Sequence, residues 1–215
     1  VTATAQPGRG GVLDLERKAE LGGPIHTKGV MIINGFLGGR YGRDKPLNLS
    51  ASLTFEQSYE GVEGDSASAA ELFTLLSALT GIPLRQDLAI TGSINQHGMI
   101  QPIGGVNEKV EGFFAVCQEK GLTGAQGVVI PASNVRNLML RDEVVQAVAE
   151  GKFHLWAIRT VDEGLEIFTG MEAGTRGEEG NYPEGTFNRA AVEKLAAFGE
   201  VVKEKKEEEG GEEKV

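Results

Sequence analysis

Two glycine-containing turns hold the residues of this 215-residue chain that are best suited to chemistry. The first turn, residues 62–70 (VEGDSASAA), carries Ser66, and the second, residues 102–109 (PIGGVNEK), carries Lys109. Each turn leads directly into residues with helical apolar spacing, which predicts that each opens a helix. A serine hydroxyl becomes a nucleophile when a neighbouring base takes its proton, and lysine can be that base if its pKa is low enough. We therefore predict that Ser66 and Lys109 meet in the fold and form the site of a serine–lysine peptidase.

The position of Ser66 at a predicted helix start has two interpretations. A serine there usually caps the helix by accepting a hydrogen bond from an unpaired backbone N–H group. The same N–H groups can instead stabilise the negative oxygen of an acyl-transfer intermediate, which favours a nucleophile. Ser68 is a rival nucleophile, but residues two apart on a helix point in different directions. Only one of the two serines is therefore expected to face the base.

Lys109 lies in the first turn of the second predicted helix. The positive end of the helix dipole lowers the pKa of a lysine there, and burial lowers it further. Both effects favour the neutral amine, whose ordinary pKa of about 10.4 must fall toward the ~7–8 of catalytic lysines. The alternative is a surface lysine paired with Glu108 or Glu111. Carboxylates at Glu63 and Asp65 would raise the pKa if they lay close to the amine.

The two turns together resemble a known family. Residues 63–68 (EGDSAS), followed along the chain by the lysine of residues 104–109 (GGVNEK), are similar to the proteolytic domain of the Lon proteases. The EGDSAS form is closer to the archaeal-type (B-type) or Lon-like branch than to the bacterial DGPSAG form. Residues 91–94 (TGSI) and 98–105 (GMIQPIGG) also resemble the intervening pattern of the family. The resemblance covers roughly residues 25–168.

The resemblance implies a set of site residues and an assembly. Ser66 would be the nucleophile and Lys109 the general base of a Ser–Lys dyad, without a histidine. A hydroxyl at Thr91 would lie near the lysine amine, and a carboxylate at Glu63 or Asp65 would modulate the dyad. The family also implies unfolded or damaged proteins as substrates, a homo-hexameric ring, and an ATPase module that drives the peptidase. The chain contains no Gly-x-x-x-x-Gly-Lys-Ser/Thr loop, so we expect no cofactor in the chain itself and ATP only through a separate module.

Composition limits the other possible functions. The formal net charge is −10, from 21 basic and 31 acidic residues, and no basic patch is visible, which argues against nucleic-acid binding. The lone Cys117 suits a reducing compartment and predicts a cytoplasmic protein. The longest aliphatic run, residues 30–33, is far shorter than the ~20 residues of a membrane span, so no membrane segment is expected. His26, His97 and His154 lack metal-binding spacing, so no metal site is predicted.

The remaining segments predict a mixed α/β (α+β) fold in which strands and helices interleave around one main sheet. We predict one proteolytic domain of the Lon type for residues 1–170, then a linker (171–187), a helix (188–206) and a disordered charged tail (207–215). The predicted strands are 25–34, 47–57, 87–94, 99–103, 127–130 and 153–158, with a glycine-rich turn at 35–42 and a hairpin around 96–98. The predicted helices are 66–80, 107–120, 142–149 and 161–168. Residues 13–21 fit either a short helix or an edge strand.

Two other functions fit part of the sequence. A glycine-bearing, Ser-Ala-rich turn before an apolar helix also resembles the phosphate loop of small-molecule kinases of the galactokinase/homoserine-kinase type. The acids Glu63 and Asp65 would repel a polyphosphate there, which weakens that alternative. A non-catalytic assembly domain with the same fold is the third possibility. The presence of both Ser66 and Lys109 counts against it.

Overall fold

The computed structural model of the protein describes residues 1–212. It has the mixed α/β architecture predicted from the sequence, with a helix at its C-terminal end. The strands are β1 (Thr2–Pro7), β2 (Gly11–Asp14), β3 (Leu49–Thr54), β4 (Leu88–Ile90), β5 (Ser93–Ile94), β6 (Ile100–Gln101), β7 (Gly127–Pro131) and β8 (His154–Ile158). The α-helices are α1 (Leu15–Lys18), α2 (Pro24–Tyr41), α3 (Ser68–Thr80), α4 (Val106–Lys120), α5 (Asp142–Ala149), α6 (Val161–Thr169) and α7 (Phe187–Glu212), and a 3-10 helix spans Ala132–Asn137.

Within the described residues the strands form two three-stranded sheets and one two-stranded hairpin, rather than the one main sheet that we expected. In the first sheet β3 is central, with β1 antiparallel and β2 parallel to it. The second sheet has the order β4-β7-β8 and its strands are all parallel. Strands β5 and β6 form the hairpin predicted around residues 96–98. The predicted strand 87–94 is therefore divided, because β4 joins the second sheet while β5 turns into the hairpin.

Helix α3 lies at the centre of the fold and leads out of the first glycine-containing turn. It packs against the first sheet and against α2 and α7. Its core-facing side is formed by four fully buried leucines, Leu72, Leu75, Leu76 and Leu79. The helix begins at Ser68, later than the predicted residue 66, because residues 64–67 form a turn. It ends at Gly81, whose φ of 75° is a conformation that glycine adopts readily.

The largest departure from the sequence prediction is α2. This helix occupies both the predicted strand 25–34 and the predicted turn 35–42, so both predictions are wrong. Pro24 stands at the first helical position, where a missing N–H costs nothing. Buried apolar residues recur at helical spacing along α2: Val30, Ile33 and Leu37. Packing of this face holds the helix together despite the glycines in its second half, since tertiary contacts outweigh weak helix propensity.

The C-terminal part of the chain packs against the core of the domain. Residues 171–186, which make up most of the predicted linker, contain no helix or strand. They are nevertheless held in place, since Ala173 is buried and its carbonyl accepts a hydrogen bond from the Asn188 N–H at 2.9 Å. Helix α7 then adds four buried side chains to the main core, those of Phe187, Ala191, Leu195 and Phe198.

Helix α7 is 26 residues long. It extends beyond the predicted end at residue 206 and through most of the predicted disordered tail, 207–215, because glutamate and lysine are good helix formers. Residues 213–215 lie outside the described part of the chain. None of the helices within residues 1–212 combines the length and the apolar composition that crossing a membrane requires.

Candidate active site

The backbone around Ser66 is fixed by hydrogen bonds to the neighbouring segment that contains Thr91 and Gly92. The Gly92 N–H donates to the Ser66 carbonyl at 2.8 Å, and the Thr91 hydroxyl donates to the same carbonyl at 3.3 Å. Gly64 has a φ of 88° just before the serine, a conformation that glycine reaches without strain. Within the described residues, the N–H groups of Ser66 and Ala67 have no backbone acceptor. Ser66 therefore stands on a well-fixed turn that offers two backbone donors.

Helix α4 brings Lys109 to this turn. Val106 and Val110 on the buried side of α4 belong to the second hydrophobic cluster of the core, so the first turn of the helix has a fixed position. The Lys109 Nζ atom lies 2.8 Å from Ser66 Oγ and 3.4 Å from Thr91 Oγ1. The structure thus brings together the three groups that the sequence analysis assigned as nucleophile, base and supporting hydroxyl.

The surroundings of Lys109 lower the pKa of its amine. Partial burial lowers the pKa of the Lys109 amine below its ordinary value, and the negative charge of Asp65 opposes that change. The residue as a whole is exposed, so the amine is only partly withdrawn from water. A primary amine with a lowered pKa, within hydrogen-bond distance of a hydroxyl, can accept the hydroxyl proton.

Ser68 occupies a different environment from Ser66. Its side chain is buried, and its Oγ accepts a hydrogen bond from the Ile94 N–H at 3.2 Å. This bond ties the start of α3 to β5. Ser66 is half-buried, and its hydroxyl is the one that meets the lysine. Of the two serines in the turn, Ser68 therefore bonds to β5 and Ser66 contacts Lys109.

Glu63 and Asp65 serve two different parts of the structure. The Glu63 carboxylate accepts a hydrogen bond from the Ile25 N–H at 3.1 Å, at the N-terminal end of α2. Gly23 makes room for it, because a Cβ there would lie 1.3 Å from Glu63 Oε2. Gly23 offers no side chain to cap the helix, and a carboxylate is favourable at that end of the dipole. Of the two acids predicted to modulate the dyad, only Asp65 affects the pKa of Lys109.

A group of side chains with the spacing of metal ligands lies apart from Ser66 and Lys109. Within the described residues one set of side chains has suitable spacing: Asp14, Glu16 and His26. The expectation of no metal site judged the histidines by their spacing along the chain, whereas the members of this set come from separate segments and form no sequence motif. The set contains none of the predicted site residues.

Comparison with protein families identifies the family to which the region around Ser66 and Lys109 belongs. A family model for the Lon protease (S16) C-terminal proteolytic domain matches residues 60–169, which include both glycine-containing turns. The chain belongs to the Lon protease proteolytic domain family. The resemblance inferred from the two turns is therefore confirmed.

Individual Lon relatives match a longer part of the chain than the family model does. A protein of Escherichia coli named "Putative Lon protease homolog" is 53% identical over 171 residues, which are 80% of this chain and 29% of that protein. The protein of the same name from Haemophilus influenzae is 46% identical over 172 residues, again 80% and 29%. The archaeal Lon protease of Archaeoglobus fulgidus is 32% identical over 166 residues, or 77% and 24%. The chain thus spans less than a third of the length of these curated relatives.

Proposed function

We propose that this chain is the serine endopeptidase domain of a Lon-type protease, with Ser66 as the nucleophile and Lys109 as the general base. The observation that carries the proposal is the distance of 2.8 Å between Ser66 Oγ and Lys109 Nζ. Membership of the Lon proteolytic domain family makes a peptidase the expected class of enzyme. The lowered pKa of the Lys109 amine supports it further, because a lysine acts as a base only when it is neutral.

The reaction is acyl transfer to serine followed by hydrolysis. With the lysine neutral, the Ser66 hydroxyl donates its hydrogen bond to Lys109 Nζ, and the proton moves to Nζ as Oγ attacks the scissile carbonyl carbon. The carbonyl oxygen becomes negative, and the N–H groups of Ser66 and Ala67 stabilise it. The Lys109 ammonium then protonates the leaving nitrogen, the C–N bond breaks, and an ester remains on Ser66. Water, deprotonated by the same amine, attacks the ester carbon, the bond from that carbon to Ser66 Oγ breaks, and the Lys109 ammonium returns its proton to Oγ as the carboxylic acid product leaves.

Two further residues act on the dyad without touching the scissile bond. The Thr91 hydroxyl bonds to the Ser66 carbonyl at 3.3 Å and lies 3.4 Å from Lys109 Nζ, so it holds base and nucleophile at a fixed separation. Asp65 counters part of the effect of burial on the pKa of Lys109. It therefore raises the pH above which the amine becomes a base.

The properties of the whole protein are proposed by analogy with the family. The relatives are named as Lon proteases or homologs of them. We infer from this that the substrates are unfolded or damaged polypeptides and that the domain works in a homo-hexameric ring. We also infer that ATP acts only through a separate ATPase module. It stays a prediction that the domain binds neither nucleic acid nor a cofactor. The cytoplasmic location, which rests on the free Cys117, also stays a prediction. Sedimentation velocity tests the ring, since a monomer at all concentrations would contradict it.

Labelling with a fluorophosphonate probe tests the proposed dyad directly. The probe acylates an activated serine, so the native chain should be labelled at Ser66, and a denatured casein should be cleaved. Ser66→Ala and Lys109→Ala should each abolish labelling and cleavage. Ser68→Ala is the matched control within the same turn, and Lys120→Ala is the matched control on the same helix, at an exposed position. Both controls should retain labelling.

Three outcomes would contradict the proposal in different ways. Labelling that survives Ser66→Ala and is lost with Ser68→Ala would move the nucleophile to the other serine. Thermal stabilisation of the chain by ATP, without labelling, would favour the kinase-type alternative. If the native chain assembled into rings and showed neither labelling nor casein cleavage, the assembly-domain alternative would stand.

A further inference from the structure

A second polar site is buried where β2, α1, α2 and α3 meet, and the peptidase mechanism does not use it. It consists of three carboxylates and one imidazole, all enclosed: Asp14 is 6% exposed, Glu16 5%, His26 1% and Glu71 2%. Burying one charged group without a partner costs several kcal/mol, so three carboxylates gathered in the interior require a compensating positive charge. The single imidazole can supply at most one such charge.

The carboxylates are held in place by the backbone around them. Asp14 caps α1, and its Oδ1 accepts a hydrogen bond from the Arg17 N–H at 3.2 Å. Glu16 Oε1 accepts from the Thr54 hydroxyl at 2.9 Å and from the Phe55 N–H at 2.7 Å. One oxygen of each of these two carboxylates is therefore fixed by a backbone or hydroxyl donor. Such a fixed arrangement is typical of ligands whose orientation is set by outer hydrogen bonds.

Two atoms of this group lack any hydrogen-bond partner within the described residues, Asp14 Oδ2 and His26 Nε2. His26 Nε2 lies 3.5 Å from Asp14 Oδ1 and 3.8 Å from Glu71 Oε1, so it points into the group without bonding to either oxygen. Two ligands of one ion, with bonds of about 2.1 Å at the tetrahedral angle, are about 3.4 Å apart. The observed separations are therefore long for hydrogen bonds and suitable for groups that share a metal ion.

We infer that Asp14, Glu16 and His26 form a binding site for a divalent transition-metal ion, with Glu71 as the fourth group facing the ion. The three ligand atoms lie within 4.8 Å of one another. An imidazole nitrogen among carboxylate oxygens suits ions such as Zn²⁺ or Mn²⁺ better than Ca²⁺ or Mg²⁺, which prefer oxygen alone. The ion would supply the positive charge that the buried carboxylates need.

The site lies between a surface cavity and the catalytic turn. A surface cavity of about 410 Å³ between β2 and α2 reaches Asp14, although the cations Arg17 and Lys18 share its lining. On the other side, α2 packs closely on the turn that carries Ser66, because a Cβ on Gly29 would lie 3.5 Å from Asp65 Cβ. An ion joining His26 of α2 to Glu71 of α3 would hold together the two helices that support this turn.

A proton is the competing explanation for the same group. Burial, followed by the charges of Asp14 and Glu16, raises the pKa of the Glu71 carboxyl to about 8. A protonated Glu71 would remove one negative charge without any ion. The two explanations differ in a measurable way, because only the first requires stoichiometric metal binding that depends on Asp14 and His26.

Metal titration of the full chain decides between them. The protein is stripped with a chelator and dialysed against Zn²⁺, and bound zinc is counted by mass spectrometry while thermal unfolding is followed. We expect one Zn²⁺ ion per chain and a higher Tm, because an ion that binds the folded state stabilises it. Asp14→Asn and His26→Gln should each weaken binding by roughly tenfold or more. His97→Gln, at an exposed histidine outside the group, should bind like the native chain.

Titration of the native chain alone already tests the inference, so the test remains decisive even if a variant fails to fold. Co²⁺ in place of Zn²⁺ should give visible absorption bands of a site with nitrogen and oxygen ligands. Absence of stoichiometric binding by the native chain, or binding that His97→Gln weakens as much as His26→Gln does, would overturn the inference. Ser66→Ala should bind the ion normally, so the metal site and the peptidase proposal stand or fall separately.

Discussion

Replacing Thr91 by valine tests whether the hydroxyl beside the lysine positions the reacting pair. Valine keeps the shape of threonine at this buried position and removes the hydroxyl. The hydroxyl donates to the Ser66 carbonyl at 3.3 Å and lies 3.4 Å from Lys109 Nζ. Both separations are longer than those of good hydrogen bonds, so each contact contributes about 0.5 kcal/mol, the weak end of the usual range. Their joint loss removes about 1 kcal/mol from the stabilisation of the transition state.

At 1.36 kcal/mol for each factor of ten in rate, the Thr91→Val variant should lose about fivefold in kcat/KM. The loss should appear in kcat rather than in KM, because the hydroxyl orients the dyad and does not touch the substrate. Initial rates on a fluorogenic peptide measure both constants, and Thr91→Ser, which keeps the hydroxyl, is the control that should stay close to the native rate. A valine variant with native kcat would refute the positioning role, and so would a loss as complete as that of Ser66→Ala.

Three further changes separate the roles of the residues in the first turn. Asp65→Asn removes the charge that raises the pKa of Lys109, so the rising limb of the pH–rate profile should move to lower pH; a limb that stays in place would contradict this. Ser68→Ala should keep most of the peptidase activity but lower Tm, because the buried Ile94 N–H loses its hydrogen-bond acceptor at a cost of about 1–3 kcal/mol. A peptide-cleavage assay measures the activity, and thermal unfolding measures Tm. Glu63→Ala should lower the free energy of unfolding by about 0.5–2 kcal/mol, as for other lost helix caps. Denaturant unfolding measures that loss, and a shifted pH–rate profile would show that Glu63 acts on the lysine after all.

The two turns that carry Ser66 and Lys109 could be anticipated because their glycines and the helices that follow are visible in the sequence, and the resemblance to the Lon family implied that the two residues pair. The buried leucines of α3 and the alternating residues of β3 were readable for the same reason, since each pattern repeats within one element. Local patterns of this kind need no knowledge of what lies across the fold. Such local patterns were sufficient to predict the turns and helices that carry Ser66 and Lys109.

Other features depend on contacts between distant segments and left no local pattern. Helix α2 was predicted as a strand because its aliphatic run is continuous, and only packing against the rest of the core selects the helix. The role of Glu63 follows from its meeting with Ile25 N–H, which nothing around residue 63 indicates. The group of Asp14, His26 and Glu71 draws on separate elements, so its members could be found only after folding had brought them together.

The apolar interior described above is not confined to residues 60–169, which the family model matches. Phe187 and Leu195 of α7 are buried in the same cluster as the leucines of α3, and β1 pairs with β3 well before residue 60. Trimming the protein to residues 60–169 would expose the apolar surface that β1, β3 and α7 cover, and the shortened protein should precipitate rather than fold. Anyone exchanging proteolytic modules between relatives should therefore move both flanks with the middle.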